Sequence, residues 1–520
     1  LTNGRVQPDA TIARREGTVR AHPNAIDSGV GYGASPYFTA AGVAQIVVFI
    51  DLACWFSADD GATWTDVTGA NVLTAGWYDF AFMRVGATNY LFAANGNTSI
   101  WRWNGTTLDA LPAAPSGVKY IEVFNRRLYA TGHSGVIVQA SKLNDPTNWT
   151  SPAALTVQVQ IQQGGTPTGL YQIGPHLLIF DTEATSYVDG FGEQDIVVAA
   201  GATGFSRSVG CIAFRTIVGV GDNAVCWLSS RGVEYYSPST GILLISRPVQ
   251  RFMDSIDRTG IGDDPGLPTA CYDEISQEYH LAVSTTGSRN NRTLVINLMH
   301  RGQGWLGAPS VDRQLTSSFQ FLTSDADGYE TLDTVGVELK STSDGYETGT
   351  SEEGAEPLTE GANGYESLGV SDALPDTLFI GPSPTRETTV HSLGRDGFVR
   401  EHYGTNDDEA SDGSGGTDVT LAVVSRPFLF GKARQRKLVR VLHVGTINDE
   451  DATLSVGLRI DGQALPVQSV TIPGTSFNQP KRAKVMSSGV GDAAQVTVET
   501  TDRVRIALIS AEAELLREPL

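Results

Sequence analysis

The stretch Ser57-Ala58-Asp59-Asp60-Gly61-Ala62-Thr63-Trp64 sets a hydroxyl, a carboxylate, a glycine and an indole in the spacing S-x-D-x-G-x-T-W. Asp59 can accept main-chain N–H bonds inside a turn, Gly61 supplies backbone angles closed to other residues, and Trp64 packs beneath. That chemistry builds a hairpin rather than a reaction centre. The eight histidines occur singly, with no HExxH or His-x-His spacing. There is no GxSxG elbow, no GxxxxGK[ST] loop and no GxGxxG opening a helix. Gly219-Val220-Gly221-Asp222-Asn223 is glycine-rich, but it joins two apolar runs and reads as a β-turn. Asp408 starts like a calcium loop, yet its third position is Ala410 and its twelfth Val419, so the ligand set fails. The residues therefore point to a protein that is not an enzyme, with no metal and no cofactor.

The elements that carry these residues read as short strands. Residues 171–237 alternate apolar pulses of three to five residues, many β-branched or aromatic, with Gly, Asp, Asn and Ser. The pulses are 176–180, 186–188, 212–214, 217–220, 224–228 and 233–236. Strand, polar turn and strand recur as LLIFDTEATSYVDG and AVCWLSSRGVEYYS, the layout of a radial repeat. Strand groups at roughly fifty-residue spacing predict an all-β fold, a β-propeller of about six or seven blades. The 57 glycines, with only 18% charged residues, fit many tight turns. No run of eighteen apolar residues occurs, and residues 1–17 lack the apolar core of a secretory leader. Cys54, Cys211, Cys226 and Cys271 are far apart and read as reduced small residues inside strands, with Cys211 and Cys226 possible neighbours across two strands.

The chain divides by composition. Residues 1–30, with Arg14, Arg15 and Arg20, read as an N-terminal arm that packs on a neighbour or closes the propeller, or as a frayed terminus. Residues 31–405 form the propeller. Within it, residues 324–376 hold fourteen Asp or Glu against Lys340 alone, and so carry −13 of the net charge of −21. Three copies of a turn pair before Tyr-Glu stand there, at Tyr329-Glu330, Tyr346-Glu347 and Tyr365-Glu366. They read as inserted small hairpins, the alternative being a disordered acidic loop. Residues 406–417 read as a linker and 418–520 as a β-sandwich domain. That last domain opens on Lys432, Arg434, Arg436, Lys437 and Arg440, either a contact for an acidic neighbour or a charged strand edge that discourages pairing. The acidic total argues against a nucleic-acid binder with a basic face.

Two resemblances attach to these residues. The S-x-D-x-G-x-T-W stretch resembles the Asp-box turn of sialidases and other propellers. A more extended series begins with SKLNDPTNW at 141–149 and Phe180-x-x-x-Ala184-Thr185-x-Tyr187. Gly210-Cys211 and Trp227-Leu228-Ser229-x-x-Gly232-Val233-x-x-Tyr236 follow, then 279–283 and 293–305. In this order the series resembles the tail-nozzle family of short-tailed bacteriophages, also called packaged-DNA stabilisation proteins. The resemblance covers roughly residues 120–310, with a weaker echo in the last hundred.

The nozzle resemblance implies a virion structural protein, assembled in the host cytoplasm into a homo-oligomeric ring, expected to be a hexamer, at the distal end of the tail. Its implied partners are a tail adaptor, tail fibres or spikes, the host cell surface, and double-stranded DNA that passes without sequence specificity. The ring would retain the packaged genome before ejection. An acidic lumen lets DNA slide, because a basic one would release counterions at each phosphate and grip it. Two alternatives stand beside it: a stand-alone propeller that binds a receptor or glycan, and a sialidase-like glycosidase. The glycosidase needs an arginine cluster, a Tyr/Glu pair and an acid gathered from several blades, and only one full Asp box is present.

Overall fold

The computed structural model describes residues 26–150 and 167–298, apart from short breaks such as 134–136, 190–196, 200–205, 259–267 and 286–289. Outside them it describes strands at 4–6, 12–14, 17–20, 155–158, 319–323, 377–381, 389–393 and 399–405, and most of 407–515. The fold is all-β and consists of small antiparallel sheets.

Seven of these sheets have four strands each. The first comprises Gly31–Phe38, Ala44–Ile50, Ala53–Ser57 and Thr65–Asp66, and the second Asp79–Val85, Thr88–Ala94, Trp101–Trp103 and Leu108–Ala110. The third holds Tyr120–Phe124, Arg127–Thr131, Ile137–Ala140 and Leu155–Gln158, and the fourth Pro167–Ile173, His176–Asp181, Thr185–Asp189 and Val197–Ala199. The fifth holds Val218–Gly219, Val225–Leu228, Val233–Ser237 and Gly241–Leu244, and the sixth Thr269–Asp273, Glu278–Val283, Arg292–Asn297 and Phe319–Thr323. The seventh joins Thr377–Gly381, Thr389–Leu393 and Val399–Thr405 to a strand from the other end of the sequence, Gly17–Arg20.

Strand alternation explains how the sheets associate. In Ala44–Ile50, successive side chains point to opposite faces. Val47 and Phe49 pack with Tyr78, Leu91 and Trp103 of the second sheet region. Ile46, Val48 and Ile50 pack with Leu393 and Val399 of the seventh. The same division recurs at each step. Ala81 and Phe92 meet Ile121 and Leu128, Tyr129 and Val138 meet Leu177 and Ile179, and Phe180 meets Trp227. Tyr235 meets Tyr279 and Leu281, and Cys271 and Ala282 meet Leu378 and Val390. Seven apolar interfaces thus link the seven sheets into a closed series. Each sheet is sandwiched between two neighbours, which is why its second strand is buried on both faces.

The turns follow local chemistry. Asn125 (φ 48°) and Arg126 (φ 60°) make a two-residue hairpin between Phe124 and Arg127, the geometry that requires positive φ at both positions. Asn104, before Gly105, accepts main-chain N–H bonds from Thr106 and Thr107 at 2.9 Å and closes the hairpin of Trp101–Trp103 and Leu108–Ala110. The pulse at 212–214 is not a strand. Its chain is drawn inward and turns as the 3-10 segment Phe214–Thr216, because Phe214 finds its apolar partners off the sheet.

The arm residues serve two bodies. Ile12–Arg14 pairs with Arg505–Leu515 in a five-stranded sheet, and Gly17–Arg20 completes the seventh sheet. The five-stranded sheet runs Gly4–Val6, Ile12–Arg14, Arg505–Leu515, Lys437–Ile447, Lys481–Gly491. A second sheet is built on Ala452–Ile460 and Ala493–Thr500, flanked by Leu421–Val424, Phe428–Leu429, Gln463–Ala464 and Gln468–Ile472. Residues 406–417, read as a linker, include most of a short ladder of Asp407–Glu409 with Gly416–Asp418.

Candidate functional site

The S-x-D-x-G-x-T-W stretch forms the turn between Ala53–Ser57 and Thr65–Asp66. Asp59 Oδ1 accepts from the Thr63 N–H at 2.8 Å and the Ser57 hydroxyl at 2.7 Å, and Oδ2 accepts from the Thr63 hydroxyl at 2.6 Å. The Gly61 N–H donates to Ser57 Oγ at 2.8 Å, and Gly61 sits at φ 91°, open to glycine alone without strain. Slight burial raises the Asp59 carboxyl, but the bonds from Thr63 and Ser57 outweigh it and hold the group below its ordinary value. Trp64, like Trp55, packs against the core shared with the seventh sheet. The polar side chains of Ser57, Asp59 and Thr63 are thus used within the turn.

The other singled-out residues are dispersed. Tyr329, Glu330, Tyr346, Glu347, Tyr365 and Glu366 lie outside the described residues, in the link between the last strand of the sixth sheet and the first of the seventh. Lys432, Arg434 and Arg436 also lie outside them. Lys437 and Arg440 fall in Lys437–Ile447, which is paired on one side with Lys481–Gly491 and on the other with Arg505–Leu515. The charged-edge reading is therefore corrected for these two residues: their strand is interior to its sheet. Cys211 and Cys226 do not pair. All four cysteines are free and buried, and burial pushes the thiols of Cys54, Cys211 and Cys271 up.

What the fold brings together is the motif series of 180–236. Gly210 and Cys211 form its hub, between the fourth and fifth sheets. The Trp227 indole N–H donates to the Gly210 carbonyl at 3.0 Å, the Thr168 hydroxyl to the Cys211 carbonyl at 2.6 Å, and the Cys211 N–H to the Asp181 carbonyl at 2.8 Å. The Thr185 hydroxyl donates to the Val209 carbonyl at 2.8 Å. A Cβ on Gly210 would stand 2.2 Å from the Asp181 carbonyl oxygen, so only glycine fits. Ser229 and Gly232 close the next turn, with the Ser229 N–H to the Gly232 carbonyl at 2.8 Å.

From this hub the chain runs on through the 3-10 segment Phe214–Thr216. Arg215 donates to the Tyr32 carbonyl at 3.4 Å and lies 5.0 Å from the Trp77 ring centroid. Phe214 meets Tyr120 edge-on at 5.1 Å, and Ile217 lies against Gly169. The Leu228 N–H donates to the Thr216 hydroxyl at 2.9 Å, and the Tyr279 hydroxyl to the Thr216 carbonyl at 2.8 Å. Residues 214–217 therefore touch groups of the first six sheets or their entering segments.

Beside this segment is a cavity of about 140 Å³ whose wall includes Asp79, Phe80, Glu122, Tyr171, Phe214 and Ile217. Asp79 opens the second sheet, Glu122 sits in the first strand of the third and Tyr171 in the first strand of the fourth. Asp79 accepts from the Phe80 N–H at 3.0 Å and the Ile121 N–H at 2.9 Å, and Glu122 from the Val123 N–H at 2.8 Å. Burial raises Asp79 to about 7, against the pull of those N–H groups and Arg215. Burial raises Glu122 to about 8, and the nearby Asp79 charge adds to the rise. Tyr171 is pushed up to about 12 by burial, then by Glu122 and Cys226. No motif of the sequence marks this group. Its signal was a lone carboxylate inside an otherwise apolar strand, in WYDFAF and in YIEVF. Among the described residues no cluster of three or more His, Cys, Asp or Glu could hold a metal.

No family model matches the chain, and no curated protein does. Among solved structures it is similar to the extracellular domain of a hybrid two-component system from B. thetaiotaomicron, at 8% identity and TM-score 0.41 over 75% of this chain and 39% of that one. It is also similar to PorZ, a surface component of the type-IX secretion system of Porphyromonas gingivalis, at 12% identity and TM-score 0.41 over 89% of this chain and 60% of that one. A glycoside hydrolase family 43 arabinoxylan arabinofuranohydrolase from Bacillus subtilis matches at 13% identity and TM-score 0.24 over 96% and 99%. The chain spans about two fifths to three fifths of the length of the first two proteins. At these identities and TM-scores the likenesses carry no argument about activity.

Proposed function

We propose that the chain is a seven-bladed β-propeller joined to a β-sandwich, and that it is a structural subunit of a bacteriophage tail nozzle. The observation that carries the reading is the hub at Gly210-Cys211. Trp227 and Gly210, two residues of the motif series, are bonded to each other between the fourth and fifth sheets, which supports reading the series as one structural unit. Two further features favour a load-bearing role. The N-terminal arm gives two strands to the C-terminal five-stranded sheet and one to the seventh sheet, which ties the two bodies together. The Asp box spends its polar groups on a turn.

The 214–217 segment limits how such a nozzle works. A DNA duplex is far wider than a cavity of about 140 Å³ with that segment beside it. The exit channel is therefore formed between copies around a closing ring, not through one propeller. Retention of the genome falls to groups facing that shared lumen, with the acidic link at 324–376 as the first candidate for gate or fibre contact. The test is the mass and image of the purified full chain, alone and with a tail adaptor. A stand-alone binding propeller is the second reading, favoured by the carboxyl-lined cavity.

A further inference from the structure

The central cavity joins features that the nozzle reading leaves unused. Two carboxyl groups from adjacent sheets share one small space with a phenol and two phenyl rings. Their oxygens are held in place by main-chain N–H groups rather than by an ion pair among the described residues. A carboxylate accepting one such bond keeps further acceptor capacity on its oxygens. Arg215, the guanidinium that acts on Asp79 among the described residues, is engaged on the Trp77 ring and the Tyr32 carbonyl. A cavity with this wall repels anions. It also offers a metal ion too few ligands, since no cluster of three or more His, Cys, Asp or Glu occurs among the described residues.

We propose that this cavity is a binding site for a primary ammonium group, free or on a lysine side chain, held between Asp79 and Glu122 against the rings of Tyr171, Phe80 and Phe214. The volume of about 140 Å³ suits an ammonium on a short aliphatic stem. An ammonium supplies three donors to the carboxyl oxygens, and the aromatic rings attract a desolvated cation by their quadrupoles. Burial holds the two acids partly protonated near neutral pH, so seating a cation drives a proton off. Asp79, Glu122 and Tyr171 are the ionisable groups that line the space, with Arg215 acting on Asp79 and the Cys226 thiol on Tyr171 from outside it. The inference rests on the cavity alone and stands whether or not the chain forms a nozzle.

The experiment is calorimetry of the full chain with n-butylammonium, in two buffers of different ionisation enthalpy, with 1-butanol as the uncharged isostere. The expected result is saturable binding that releases up to about one proton per ligand, and tightens from pH 6 to 8 as the acids ionise. Asp79→Asn and Glu122→Gln each weaken it at least tenfold while the circular dichroism spectrum stays unchanged. A parallel titration with a lysine-containing peptide separates the sources. Binding of the peptide as well assigns the site to a partner's lysine, and binding of butylammonium alone assigns it to a free amine. Equal binding of 1-butanol, binding that survives both substitutions, or no saturable binding of butylammonium would each overturn the proposal.

Discussion

The indole N–H of Trp227 donates to the main-chain carbonyl of Gly210 at 3.0 Å, which fixes a strand of the fifth sheet to the segment that leaves the fourth. Both residues are held from the other side as well, since Trp227 is fully buried and a Cβ on Gly210 would run into the Asp181 carbonyl. The hub therefore tolerates neither a smaller indole nor a larger glycine.

Gly210→Ala is expected to destabilise the chain by about 1–3 kcal/mol or more, because its Cβ would meet backbone that cannot swing aside. Trp227→Phe is expected to cost about 1–3 kcal/mol through the lost donor and the volume left empty. Urea unfolding checks both. Wild-type midpoints for both variants would mean that the hub does not hold the two sheets together.

In the Asp box, Asp59→Ala removes the acceptor of three short bonds at an exposed turn. The expected loss is about 1–2 kcal/mol. Because the folded carboxyl lies below its ordinary value, its contribution is present above the unfolded pKa and disappears as the pH falls through the folded one. The gap between wild type and Asp59→Ala should therefore narrow in acid. A gap that widens there contradicts the assigned bonds.

The central carboxyls have the opposite sign. Asp79 rises from 3.8 to about 7 and Glu122 from 4.5 to about 8. The folded chain then binds more protons than the unfolded one in the window between, so stability falls as the pH climbs through it, by up to about 1.4 kcal/mol per pH unit for each carboxyl. The double variant Asp79→Asn/Glu122→Gln should gain on wild type in melting temperature from pH 5 to 8. A difference that stays flat across that range would show that the two groups titrate normally.

Removing residues 1–20 takes away the strand that completes the seventh sheet and the two that extend the five-stranded sheet. The expected outcome is a lower melting temperature and faster proteolysis at both bodies. Unchanged proteolysis at either body would contradict the shared arm.

Much of this fold was legible because strand chemistry is local. The β-branched run of Ala44–Ile50, the Asn104-Gly105 turn and the hairpins between 171 and 189 all follow from neighbours in sequence. The segment 212–214 was misread as a strand, since its apolar residues serve a three-dimensional cluster with Trp77 and Tyr120 that no period reveals. Asp79 and Glu122 stayed hidden for the same reason. Each looks like an isolated polar residue in an apolar strand until two sheets set them beside one cavity. The fourth strand of the seventh sheet comes from Gly17–Arg20, a pairing across almost four hundred positions that the reading of 1–30 as a closing arm anticipated only in outline.

On the proposed nozzle reading, copies of this chain close into a ring whose lumen lies between them. Cryo-electron microscopy of the purified full chain, alone and with a tail adaptor, with the particle mass measured alongside, tests it most directly. The account predicts a hollow ring of several copies, six on the nozzle resemblance, with each propeller's own axis closed at residues 214–217. A particle that stays a single copy under both conditions, or a channel running through the propeller axis, would contradict it.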